Sequence, residues 1–505
     1  MSTPVATAEP PVLPPTWSER RDFPGWLPAV LVKELRQSLR TRGFVGSVIL
    51  YQVIMAIGLV WAMSEADLGR DRGAFAAING FYWFLLSVLV AVTTPWRGLT
   101  ALRDEIEQRS LDLLVLTRLS AARIVLGKWG SLAVQALLLL LTTLPYGVLR
   151  YFFGSVNLLE DLASLAGLLF LSMVLSALAL WVSTLPRFFR VLLPVGVIFF
   201  LNTGRFWSRT IAPLLFGRGF GVPAASPGIY EQFALFLAGS VLIALFLMFA
   251  IQRLAPPAEN HSLRFRLGGL AVLFGGFGLV AWRGVPATGE LVFALAVLGL
   301  VLANELSFDR RPLRVHVPGW LRGHASGRLF ARLLLPGWPS AALFAALCCA
   351  LIGIFVAGSG LWARVPVGRV VWCCVLGWGM LVFPALLLSW LPARSVLRSG
   401  NAGYFVVQGL FGIVSLVLAT GALHTFSHYR LVLWLDTFSR MLPVSGFWTT
   451  LAVMGDRPLS TTEIAGQTAT LALVLYFLWK QTAGYRAEVY LFMEDIGRDS
   501  GPAAP

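Results

Sequence analysis

The chain has 505 residues, of which 57% are hydrophobic and only 13% charged, and its mean hydropathy is +0.75. A composition this apolar excludes an ordinary water-soluble domain. The net charge of +15 does not mark a nucleic-acid binder, because the basic residues are scattered through the gaps between apolar blocks and form no compact basic domain.

The apolar blocks run for about 16 to 25 residues, the length a helix needs to cross roughly 30 Å of hydrocarbon. The expected fold is all-α: a polytopic transmembrane helical bundle of about twelve spans, or ten to eleven if some are broken or re-entrant. Residues 1–25 read as a flexible, Pro-rich tail. They carry Glu9, Glu19 and Asp22 and no apolar run before a small-residue cleavage site, so the first span is expected to act as the insertion signal. From Trp26 to Arg42, Leu27, Leu31, Leu35 and Leu39 recur at i+4, while Lys33, Arg36 and Arg40 occupy other faces. Together with Glu34 they predict an amphipathic helix lying at the membrane interface. Spans are expected at 45–63 and 75–95.

Between the second and third spans, Leu102 to Lys128 is too polar at its start for a span and too apolar at its end for an ordinary loop. Asp104, Glu105 and Glu107 suit a helix N-terminus, and Glu105 is placed to pair with Arg109 one turn later. Ile106, Leu111, Leu113, Leu114 and Leu116 follow. Thr117-Arg118-Leu119-Ser120 breaks the pattern, and Ser120 is positioned to cap a second helix that becomes the third span.

Spans at 130–149, 162–184, 189–204 (with Pro194) and 232–251 complete a six-span part over residues 26–260. Two linking spans, 267–282 and 291–306, occupy 261–310. A long basic gap with Pro312, Pro318 and Pro336 leads into a four-span part over 311–490, with spans at 340–360, 370–391, 403–424 and 465–481. A short tail, 491–505, ends the chain. Glu305 and Asp309, near the end of the eighth span, are read as lying at headgroup level rather than in a gate. Cys348, Cys349, Cys373 and Cys374 lack zinc-site spacing and read as small apolar filler. His424 and His428 stand one turn apart with no third ligand and read as interfacial, so no metal is expected. Trp83, Trp96, Trp282, Trp362 and Trp390 are assigned to the aromatic belt.

With a cytoplasmic N-terminus and alternating sides, about 28 of the 40 Lys and Arg residues fall inside and about 12 outside. Both termini are therefore expected in the cytoplasm, with the chain in the cell inner (plasma) membrane.

Glu107-Gln108-Arg109-Ser110-Leu111-Asp112-Leu113-Leu114-Val115-Leu116-Thr117-Arg118-Leu119-Ser120 resembles the cytoplasmic segment of ABC type-2 exporter permeases, which typically show Glu-Arg-Gly-Thr-Leu-Glu-Leu-Leu-Leu-Leu-Thr-Pro-Leu-Ser. Ser110 stands where Gly is usual and Arg118 where Pro is usual. Ile124-Val125-Leu126-Gly127-Lys128 extends the likeness, and Lys33-Glu34-Leu35-Arg36 resembles the connecting helix that precedes the family's first span. The resemblance implies a coupling helix, formed by Glu105, Glu107, Arg109, Leu111, Leu113 and Leu114, that docks on a separate ATPase subunit. It further implies two ATPase copies, a homo- or hetero-dimer of permease subunits, contact with membrane lipid and no nucleic acid. The part beyond residue 260 would then be a degenerate permease half or an accessory domain.

No Gly-x-x-x-x-Gly-Lys-Ser/Thr loop occurs in the sequence, so ATP hydrolysis is expected on another chain, with no catalytic site and no cofactor here. The spans hold almost no Asp or Glu at mid-depth, which disfavours a secondary transporter. A membrane scaffold or assembly factor that binds a cytosolic partner is the alternative to an exporter permease.

Overall fold

The computed structural model describes residues 29–67, 72–103, 120–153, 158–185, 229–255, 261–283, 288–307, 333, 336–358, 367–390, 403–408, 410, 464–469 and 471–480. Every regular element among them is helical. The chain divides into two compact units, the first comprising residues 1–184 and 193–251 and the second 185–192 and 252–505.

In the first unit α1 spans Ala29–Leu39 and α2 Arg42–Asp67. The two meet at a bend of 59°. Thr41 is the joint: its Oγ1 donates to Ser38 O at 2.7 Å, while its own carbonyl accepts from the Phe44 and Val45 amides that open α2. One face of α2 carries Phe44, Tyr51 and Met55 into the unit's core, and Val45, Ile49, Val53, Ile57 and Val60 point outward. Large apolar side chains on the outside are costly in water and unremarked in lipid.

The next helix runs further than the sequence suggests. α3 (Arg72–Ser87) passes through a π-helical turn, Val88–Thr93, into α4 (Thr94–Ala101). Pro95 has no N–H to give to a carbonyl one turn back, and its ring crowds that turn; the wider π turn accommodates both. The carbonyl of Val90, five residues before Pro95, accepts instead from the buried Ser172 hydroxyl at 2.8 Å. The helix therefore continues past position 95, and Arg97, expected in a loop, lies on it. Trp83 also departs from expectation. It is 2% exposed within the core rather than in an aromatic belt, because it faces inward beside Tyr82, whose ring it meets edge-on at 5.4 Å. Trp96 and Trp282 are exposed, as belt residues are. Trp362 and the side chain of Trp390 lie outside the described residues.

α5 (Ala121–Phe153) starts directly after Ser120, whose Oγ accepts from the Arg123 amide at 3.4 Å. α6 (Leu158–Ser183) packs against α4 and α5. The closest approach is at Gly98, where a Cβ would stand 3.1 Å from Ala179 Cβ and 3.3 Å from Leu132 Cδ1. Small residues at such crossings let helices approach where lipid supplies no hydrophobic drive. α7 (Ile229–Leu254) packs on α6, with Phe170 stacked on Phe236 at 4.7 Å and Trp181 on Phe246 at 5.6 Å.

In the second unit, α8 (Ser262–Arg283), α9 (Thr288–Leu306), α10 (Trp338–Gly358) and α11 (Val367–Trp390) share one core that includes Leu273, Leu298, Leu302, Phe344, Cys348 and Val382. The pair set apart in the sequence as linking spans, α8 and α9, contributes directly to this core. Phe277 of α8 stacks on Phe355 of α10 at 3.9 Å. Trp378 Nε1 donates to Ala342 O at 2.9 Å, and Tyr404 OH to Leu381 O at 2.8 Å, so the polar tips of two buried rings are satisfied by backbone.

Among the described residues six helices are long and apolar enough to cross a membrane, or seven if the bent pair α1 and α2 forms one span. This is the composition of a membrane-embedded protein. The expected span at 189–204 lies outside the described residues, as does most of 403–424.

Candidate functional site

The residues expected to form the coupling helix, Glu105, Glu107, Arg109, Leu111, Leu113 and Leu114, lie outside the described residues. The chain on either side of them is described, and both sides meet at one place. Ala101, at the end of α4, and Lys128, in the second turn of α5, line the same cavity of about 320 Å³. Glu34, Ser38, Thr41 and Gly43 from the α1–α2 elbow, Arg97 from α4, and Ser131, Leu132 and Gln135 from α5 complete its wall.

Each charged group on this wall is held by a specific contact. Lys128 Nζ donates to Glu34 Oε1 at 3.3 Å, and the two side chains are 7% and 18% exposed, so the pair is largely shielded from water. It links α1 to α5 across 94 residues of sequence. Arg97 Nη1 donates to Gln135 Oε1 at 3.0 Å, and the guanidinium lies over the Phe44 ring, 4.9 Å from its centroid. Aromatic stacking of this kind fixes the plane of an arginine without neutralising it. Among the described residues two cations and one carboxylate face the cavity.

Of the residues assigned to the interfacial helix, Glu34 turns into the cavity, Leu35 is half-buried, and Lys33 and Arg36 are exposed. α1 is thus packed on α5 along one side, with Leu31 against Gly130, and presents its basic side outward. Sequence periodicity found the helix but not its partner, because the ion pair joins residues with no fixed spacing.

The second unit holds a buried polar cluster, and it corrects the expectation for Glu305. That residue is 2% exposed, so its carboxylate is solvated by protein groups and not by headgroups or water. Its Oε2 accepts from Arg266 Nη2 at 3.2 Å, and its Oε1 from Gln252 Nε2 at 3.2 Å. Asn304 Nδ2 donates to Gln252 Oε1 at 2.7 Å, Arg266 Nη2 to Ser340 Oγ at 3.0 Å, and Arg266 Nη1 to the Leu333 carbonyl. Burying a carboxylate costs several kcal/mol unless it is paired and hydrogen-bonded, as Glu305 is here. Gly337, at φ 128°, makes the turn that starts α10 and sets Ser340 against Arg266, a backbone conformation that side-chain-bearing residues rarely adopt.

Among the described residues no group of three or more His, Cys, Asp or Glu is arranged to hold a metal ion. No family model, curated protein or solved structure matches the chain.

Proposed function

We propose that the chain is the membrane-spanning permease subunit of an ATP-driven exporter, working with a separate ATPase subunit present in two copies. In this reading the protein crosses the inner membrane about twelve times with both termini in the cytoplasm, and residues 105–114 form the coupling helix. The observation that carries the proposal is the likeness of Glu107 to Ser120 to the coupling segment of ABC type-2 exporters.

Two features of the surrounding chain support it. Closure of a cytosolic ATPase must reach the membrane through something stiff. The segment runs at Ser120 directly into α5, a helix of 33 residues, and Lys128 ties that helix to α1. The sequence carries no Gly-x-x-x-x-Gly-Lys-Ser/Thr loop, which is consistent with nucleotide chemistry on a partner.

The test is made on the assembled complex, with partner binding, ATP hydrolysis and substrate movement measured on one preparation. Glu107→Arg combined with Arg109→Glu should leave membrane insertion near normal, since exposed charges contribute about 0 to 1 kcal/mol to folding, while lowering ATPase association and export together. If all three activities are unchanged, the segment does not couple and the proposal loses its main support. ATPase binding without any substrate movement would indicate a scaffold.

A further inference from the structure

We propose that the cavity between α1, α2, α4 and α5 is a binding site for a phosphate group, with Arg97 as its principal ligand. At about 320 Å³ the cavity is within the range of small-molecule sites, roughly 300–1,000 Å³. Polar groups stand on its wall beside the charged ones: Gln135, and the Ser38, Thr41 and Ser131 hydroxyls, which donate to the Leu35, Ser38 and Lys128 carbonyls.

The charge arrangement selects the sign of the ligand. Among the described residues the one carboxylate on the wall, Glu34, is engaged by Lys128. Among the described residues Arg97 meets a neutral amide oxygen and a ring face. An arginine stays protonated and carries five N–H donors, of which a single bond to Gln135 uses one. With the Phe44 ring under its plane, the guanidinium is oriented in advance and its remaining donors suit the paired oxygens of a phosphate.

The depth of the cavity is set by its neighbours. Trp96, next to Arg97, is 62% exposed, and Lys33 and Arg36 of α1 and Arg40 just after it are exposed. Exposed Trp and clustered basic residues belong at the headgroup level of a bilayer. A phosphate arriving there comes either from an anionic phospholipid or from the adjoining solution; the chemistry at Arg97 is the same.

The experiment uses the purified full chain in neutral detergent and native mass spectrometry. It is titrated in separate arms with phosphatidylglycerol, with phosphate-free diacylglycerol and with inorganic phosphate. Wild-type protein should retain phosphatidylglycerol or inorganic phosphate, whichever is the source, at least tenfold more tightly than diacylglycerol. Arg97→Gln should erase that preference, whereas Arg97→Lys should keep part of it. Glu34→Gln removes the carboxylate that faces the cavity among the described residues and should tighten anion binding several-fold, and it decides the matter if Arg97→Gln fails to fold. The proposal is overturned if wild-type protein shows no preference in either anionic arm, if the preference survives Arg97→Gln, or if Glu34→Gln weakens it.

Discussion

Glu305 shows what one residue adds beyond its position in the sequence. A charge at the end of an apolar block is ordinarily solvated by headgroups, so the sequence places it at the surface. Its partner Arg266 lies 39 residues away on another helix, and no local spacing announces the pair. Arg97 and Glu34 were hidden in the same way, since each is defined by a contact made only after helices pack. The buried pair yields a direct prediction. Glu305→Ala takes the carboxylate from against a guanidinium that is itself fully buried, and should cost roughly 3–5 kcal/mol. Replacing Arg266 with Met in the same chain should recover part of that loss, because no buried charge then remains at this pair. Thermal unfolding of the purified variants in one detergent checks both; equal melting of Glu305→Ala and wild type would show the pair to be energetically idle.

At the scale of elements, helix existence was legible and helix ends were less so. Apolar length alone located α2, α5, α6, α7, α8 and α10, because a span has to satisfy its own backbone over the whole hydrocarbon thickness. Ser120 marked the start of α5 through ordinary capping chemistry. The span expected at 75–95 stops where the chain continues as helix, by widening one turn and borrowing a hydroxyl from α6. That solution needs Ser172, 82 residues away from Val90. Ser172→Ala should therefore leave a buried carbonyl unsatisfied and cost about 1–3 kcal/mol. The loss should appear as a lower melting temperature for Ser172→Ala, whereas Ser164→Ala, which removes an exposed hydroxyl bonded only within α6, should melt like wild type.

For the whole molecule, the membrane character was legible from composition, and the grouping of helices was not. α8 and α9 look like links in the sequence because Pro-rich and basic gaps follow them, yet their packing assigns them to the second unit's core. Orientation rests on the Lys and Arg asymmetry and has its own test. Ser326→Cys should stay unlabelled by a membrane-impermeant maleimide in intact cells and become labelled once the membrane is opened; labelling in intact cells would reverse the topology. The length of α5 bears on motion at this scale. From Ala121 to Pro145 it is an arm of about 37 Å at 1.5 Å per residue, anchored near its base by Lys128 on Glu34. Turning such an arm by about 5° at the base sweeps its far end through about 3 Å, roughly the width of a water molecule. A small rotation at the base is thereby geared up, by length alone, into a displacement of molecular size at the far end.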